Sequence, residues 1–142
     1  MKVLWTDGSA NPNPGKGGYA VIEEFADGRA RVASMGHAPR TTNIRMEGTA
    51  ILHAIEYAGD EGCEIHTDSK FWINVLTEWA PGWAARGWRK KGGPIENLDL
   101  VQLLYDAYKT HDVKFVWVKG HKGTLLNEFA DYYANMAREN ND

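Results

Sequence analysis

Four carboxylates stand where a folding core has little use for them. Val3, Trp5 and Asp7 share one face of a strand through this stretch, because successive strand side chains alternate, so Asp7 closes an otherwise apolar row. Glu47 precedes Ala50, Ile51, Ala54 and Ala58 at spacings of three, four, seven and eleven, which sets its carboxylate on or beside the apolar stripe of a helix. Asp68 directly follows a short apolar strand, and Asp131 lies at the edge of the last helix. Carboxylates at strand ends beside an acidic helix face are the makings of a hard-cation site, since Mg²⁺ takes oxygen ligands and keeps several waters. Each acid alone also fits a plainer role. Asp7 before Gly8-Ser9 could shape a turn, Asp68 could cap the next helix, Glu47 could pair with Arg45 or a distant lysine, and Asp131 could face water.

The elements that must position these acids follow from periodicity. A β-branched and aromatic run predicts a strand over 2–6, ending at Asp7-Gly8-Ser9, with the Pro- and Gly-rich stretch 11–18 as a loop. Strands are predicted over 19–25 and 30–35 around Asp27-Gly28, a dipeptide suited to a type I′ hairpin turn. A helix over 45–59 closes at Gly59, a strand covers 64–67, and Ser69 caps a helix reaching Leu76. Residues 78–91 form a Trp-rich basic excursion broken by proline and glycine. Asn97 is expected to cap a helix over 98–109, a strand covers 113–118, and a last helix runs over 126–138 with Phe129, Ala130, Tyr133, Ala134 and Ala137 inward. Strands first, then strands alternating with helices, give a mixed sheet covered on both faces.

The setting of the four acids resembles ribonuclease H type 1 along nearly the whole chain. Thr6-Asp7-Gly8-Ser9 with Asn13-Pro14-Gly15 and Gly17-Gly18-Tyr19, then Thr42-Asn43-Ile44-Arg45-Met46-Glu47, Thr67-Asp68-Ser69, Val118-Lys119-Gly120-His121 and Asn127-Glu128-Phe129-Ala130-Asp131 resemble that family's signatures in order. The resemblance implies an α/β ribonuclease H-like fold: a five-stranded mixed sheet, three antiparallel strands then two parallel ones, flanked by helices on both faces. It implies an endonuclease that hydrolyses the RNA strand of RNA/DNA hybrids with two Mg²⁺ ions, Mn²⁺ being an acceptable substitute, and leaves 5′-phosphate and 3′-hydroxyl ends. Asp7, Glu47, Asp68 and Asp131 match the metal-binding acids, and His121 the mobile histidine that aids catalysis.

For substrate, the resemblance assigns the backbone at Ala10 and the side chains of Asn13 and Asn43 to RNA 2′-hydroxyls, and Thr42 and Arg45 to the surroundings of a DNA-strand phosphate pocket. Trp79, Trp83 and Trp88 with Arg86, Arg89, Lys90 and Lys91 resemble the basic handle of many bacterial members, about residues 78–94. Charge there grips phosphate, while the spacing of Trp79 and Trp83 favours packing. Two positions depart from the family pattern: Ile44 stands where a second Asn is common, and Lys70 where Gln is common, so Lys70 adds a possible phosphate contact. A catalytically silent hybrid-binding module is the alternative, and loss of one acid would have marked it; all four are present.

Composition sets the remaining bounds. The chain has 142 residues, 43% hydrophobic and 25% charged, enough for one domain over 1–142 and for a core without disulfides. One cysteine, Cys63, excludes an internal disulfide and favours a reducing, cytoplasmic setting. No apolar stretch suits a signal peptide or a membrane span. The net charge of −3 means that nucleic-acid affinity must come from local basic clusters and be salt-sensitive. A monomer is expected, because the active face must stay open to a duplex.

Overall fold

The computed structural model describes residues 1–119 and 124–140. Five strands, β1 (Lys2–Ala10), β2 (Gly15–Glu24), β3 (Ala30–Thr41), β4 (Cys63–Thr67) and β5 (Val113–Trp117), form one sheet in the order β3-β2-β1-β4-β5. β1 to β3 pair antiparallel, while β4 joins β1 and β5 joins β4 in parallel. The expected sheet is therefore present. Its first three strands are longer than their sequence suggests, β3 running on from the expected end at Met35 to Thr41. Asp7 pairs with Ala20 and Ala10 with Gly17, so the stretch expected to leave the strand at Asp7 continues it, and Gly15 to Gly18 belong to β2.

The helices are α1 (Asn43–Ala58), α2 (Lys70–Asn74), α3 (Ala80–Ala85), α4 (Leu98–Thr110) and α5 (Leu125–Glu139). Alternation along the strands sorts them onto two faces. Leu4, Val21 and Ile65 pack with Ile51, Ile55, Trp72, Val75, Val101 and Leu104 from the helices of one face, all fully buried. Trp5 and Ile22 point the other way and pack against Ala130, Leu126 and Tyr133 of α5. Trp72 is the largest fully buried side chain, and its truncation to alanine is expected to cost about 3–5 kcal/mol.

Two glycines set how closely the helices approach the end of the sheet that carries Asp7. A Cβ on Gly8 would overlap the backbone of Met46 and Glu47 in α1, and one on Gly18 would overlap the backbone of Ala134 and Arg138 in α5. Glycine is thus demanded by close approach rather than by a turn.

Several local expectations need correction. At the β2–β3 hairpin the Gly28 N–H donates to the Phe25 carbonyl at 2.9 Å, and Gly28 alone has positive φ, +89°. A type I′ turn needs positive φ at both central residues, so Asp27-Gly28 does not form one. Pro81 does not break the helix that starts after Ser69. A π-helical turn over Val75–Trp79, with the Ala80 N–H donating to the Val75 carbonyl five residues back, links α2 to α3 across the proline. α3 ends at Gly87 in a Schellman motif: the Trp88 N–H donates to the Trp83 carbonyl at 2.7 Å and the Gly87 N–H to that of Ala84 at 3.1 Å. Asn97 is in the left-handed region (φ 56°), and its side chain does not cap α4. Phe129, expected inward, is 42% exposed. Cys63 is buried, and burial first, then Asp112, push its thiol up to about 11, which suits an inert core residue.

Candidate active site

Asp7 is 5% exposed, near the carboxyl end of β1 and on the face that α5 covers. Burial, then the nearby Asp68 carboxylate, then Asp131 push its carboxyl up to about 9, against which the Gly8 N–H acts weakly as a hydrogen-bond donor. Three acids from β1, from the residue after β4 and from α5 therefore meet, though they are far apart in sequence. Among the described residues no three such side chains close around a single point as a finished metal cage. A cation that keeps its waters needs no tight cage.

Glu47, half-buried in the first turns of α1, is brought to the same end of the sheet by the backbone contact at Gly8. For Asp7 and Asp68 the plainer roles find little support. Asp7 lies within a strand rather than a turn. Ser69, not Asp68, caps α2: its Oγ accepts the Trp72 N–H at 3.4 Å, while Thr67 Oγ1 accepts the Ser69 N–H at 3.0 Å. Arg45 is committed elsewhere, donating to both carboxylate oxygens of Asp99 at 3.0 and 2.8 Å and to Asn97 Oδ1 at 3.2 Å, which holds the Asp99 carboxyl down at about 2. Asp131 is half-buried against Asp7.

Braces fix the elements that carry the acids. Trp72 Nε1 donates to the Ile44 carbonyl at 2.7 Å, tying α2 to the first turn of α1. Ser9 Oγ donates to Asn135 Oδ1 at 3.1 Å, and Arg138 Nη1 donates to both oxygens at 2.9 and 2.8 Å, tying the end of β1 to α5. Asn13, Asn43 and Ala10 form one chain: Asn43 N–H donates to Asn13 Oδ1 at 3.1 Å, and Ala10 N–H donates to Asn43 Oδ1 at 2.6 Å. The three positions assigned to RNA contacts are thus contiguous, and Thr42 Oγ1 caps α1 beside them by accepting the Arg45 N–H at 3.2 Å. His121 lies outside the described residues.

In the handle, Trp83 and Trp88 pack on the core, with Trp88 edge-on to Tyr105 at 5.8 Å between ring centres. Arg86, Arg89, Lys90 and Lys91 are exposed. Trp79, for which the sequence favours packing, is 42% exposed and meets Phe71, 38% exposed, at 6.3 Å. These two rings line one cleft with Trp83 and Lys90. Phe71 and the exposed Arg40, at the end of β3, are surface residues that the sequence reading missed. Arg40 lies two residues before Thr42, and that proximity was the available signal.

The RNase H family model matches residues 1–139. Ribonuclease H of Acidiphilium cryptum (strain JF-5) is 42% identical over 139 residues, 96% of this chain and 85% of its own. Ribonuclease HI of Caulobacter vibrioides is 42% identical over 136 residues, 94% of this chain and 89% of its own. Among solved structures, LC9-RNase H1, a type 1 RNase H with the type 2 active-site motif, is similar with a TM-score of 0.79 and 30% identity, over 98% of this chain and 73% of that one. LC11-RNase H1 in complex with RNA/DNA hybrid has a TM-score of 0.71 over 98% of this chain and 97% of that one, and at 22% identity it supports the fold alone.

Proposed function

The chain belongs to the RNase H family, and from that membership we propose that it hydrolyses the RNA strand of RNA/DNA hybrids at the Asp7 end of its sheet, leaving 5′-phosphate and 3′-hydroxyl ends. The observation that carries this reading is the buried Asp7 carboxyl, close enough to the carboxyls of Asp68 and Asp131 to feel their charge. Such an arrangement is unfavourable by itself and becomes favourable once positive charge enters it. The donor set of Asp7, Glu47, Asp68 and Asp131 is all oxygen, which fits a hard divalent cation. Divalent-metal dependence is general in the family. For this chain we take the ions to be two Mg²⁺, with Mn²⁺ accepted, held by those four acids. When bound, such ions stabilise the charge on both the attacking and the leaving oxygen of an in-line phosphodiester displacement.

The chain's own residues select and hold the strand. The Asn13–Asn43–Ala10 network offers polar side-chain groups beside the acids, fit for the 2′-hydroxyls that distinguish RNA from DNA. Arg45 is spent on Asp99, so Thr42 with the exposed Arg40 is better placed to meet a phosphate of the DNA strand. Phe71 and Trp79, with Lys90 and the basic residues near it, form an aromatic and cationic surface of the kind that holds a nucleic-acid strand. His121 is proposed to move protons at the acid cluster. We take the chain to be a monomeric, cytoplasmic, single-domain enzyme; no helix of the described residues is long and apolar enough to cross a membrane.

The test is substrate choice. An end-labelled RNA/DNA hybrid, single-stranded RNA and duplex DNA are incubated with the protein and Mg²⁺. The reading predicts cutting of the hybrid's RNA strand only. Equal cutting of duplex DNA would contradict it.

A further inference from the structure

Lys70 departs from the family pattern and sits in an unusual place. It opens α2, two residues after Asp68, where a positive charge opposes the helix dipole, so its position adds nothing to helix stability. Its side chain is exposed, and its Nζ lies over the Trp117 ring, 5.0 Å from the ring centre. Trp117 is the last residue of β5, is 47% exposed, and pairs in register with Thr67, the residue before Asp68. The Val118 N–H donates to the Thr67 carbonyl at 2.9 Å and fixes this level of the two strands. An exposed tryptophan at the carboxyl end of an edge strand contributes little to the core. Here its face holds an ammonium group at the strand level of Thr67, one residue before Asp68.

We propose that Lys70 and Trp117 act as one phosphate-binding unit beside the acids, in which Lys70 contacts a backbone phosphate of the cleaved strand and Trp117 is the positioning residue that holds its ammonium in place. This deepens the hydrolase reading above and rests on it. A cation on a ring face retains its outward N–H donors for a phosphate, and the contact is worth about 0.5–1 kcal/mol at an exposed site, enough to bias a flexible lysine. Without the ring, a lysine two residues from Asp68 would be free to swing toward that carboxylate and to compete with a cation there.

The experiment measures binding of a fluorescent RNA/DNA hybrid by anisotropy in EDTA over a salt series, and steady-state cleavage in Mg²⁺, for the intact chain and for Lys70→Gln, Lys70→Arg, Trp117→Phe, Trp117→Leu and Lys70→Gln/Trp117→Leu. Melting temperatures establish that each variant is folded. Lys70→Gln is expected to weaken binding and raise KM about three- to tenfold and Trp117→Leu about two- to fivefold, each with kcat nearly unchanged, and Lys70→Gln to flatten the salt slope by about 0.7–0.9, one phosphate's share. Lys70→Arg and Trp117→Phe should stay near the parent, and the double variant should be no worse than the worse single one. An unchanged slope in Lys70→Gln, or additive losses in the double variant, would overturn the proposal. If the parent binds hybrid without cutting it, the hydrolase reading fails, and the anisotropy series still decides the Lys70–Trp117 pair.

Discussion

The Asp7 carboxyl on β1 is 5% exposed and lies close enough to the Asp131 carboxyl on α5 for their charges to repel, which favours the protonated form of Asp7. The fold thus gathers carboxyls around Asp7, where a proton on Asp7 or an incoming cation relieves the repulsion.

Replacing Asp7 with Asn should separate stability from function. Burial, Asp68 and Asp131 raise its folded pKa to about 9 from the ordinary 3.8. The folded chain therefore retains a proton that the unfolded chain releases, so without metal the site becomes a growing cost as pH rises from the unfolded value towards the folded one. In EDTA, Asp7→Asn should melt several degrees above the parent, and the gain should be larger at pH 8 than at pH 5. In Mg²⁺ it should lose roughly 10²-fold or more in kcat, the scale of losing one group that stabilises transition-state charge.

Gly8→Ala tests the approach of α1 to β1. The added methyl meets the backbone of Met46 and Glu47, which cannot yield as a side chain could. The expected loss is about 1–3 kcal/mol in urea unfolding, with activity falling as Glu47 is displaced. Unchanged stability and rate would mean that α1 does not depend on this contact.

How much of this was legible beforehand varies by element. The sheet and the helices followed from period and order, whereas each of the four acids alone fitted a plainer role and was singled out by the resemblance of its setting. The extension of β1 to Ala10 did not. Gly8, Gly15, Gly17 and Gly18 read locally as loop, whereas Gly8 and Gly18 are in the sheet to let helix backbones approach, a tertiary demand that a local window does not contain. Pro81 read as a helix break, yet one π turn absorbs it. The missing cap at Asn97 and the Arg45–Asp99 pair were illegible for a shared reason: Asn97 and Asp99 lie more than fifty residues from Arg45 along the chain.

Arg40 and Arg45 should respond differently. Arg40→Ala is expected to raise KM for hybrid severalfold and flatten its salt dependence by about 0.9 while leaving the melting temperature unchanged. Arg45→Ala should chiefly lower the melting temperature, and by little, because Asp99 is exposed and such pairs contribute under about 1 kcal/mol. The reverse pattern would return Arg45 to the substrate.

Glu23 predicts the acid limb of stability. It is buried at the far end of β2; burial alone would raise its pKa, but the Tyr57 hydroxyl, Lys2 and Arg31 outweigh that and hold it below its ordinary value. A lowered carboxyl stabilises the fold above its unfolded pKa and loses that contribution as pH falls through the folded one. Glu23→Gln should therefore melt well below the parent at pH 7, with the difference shrinking below about pH 4. A constant difference across that range would remove Glu23 from the account.

The most direct measurement is single-turnover cleavage of a hybrid with labelled RNA, first in EDTA and then after excess Mg²⁺, with the new RNA ends identified by phosphatase and ligase treatment. The account predicts no cutting in EDTA, full recovery in Mg²⁺, and 5′-phosphate and 3′-hydroxyl ends. Cutting that persists in EDTA, or a 2′,3′-cyclic phosphate, would mean that the RNA's own 2′-hydroxyl, rather than water at the Asp7 cluster, attacks the phosphorus.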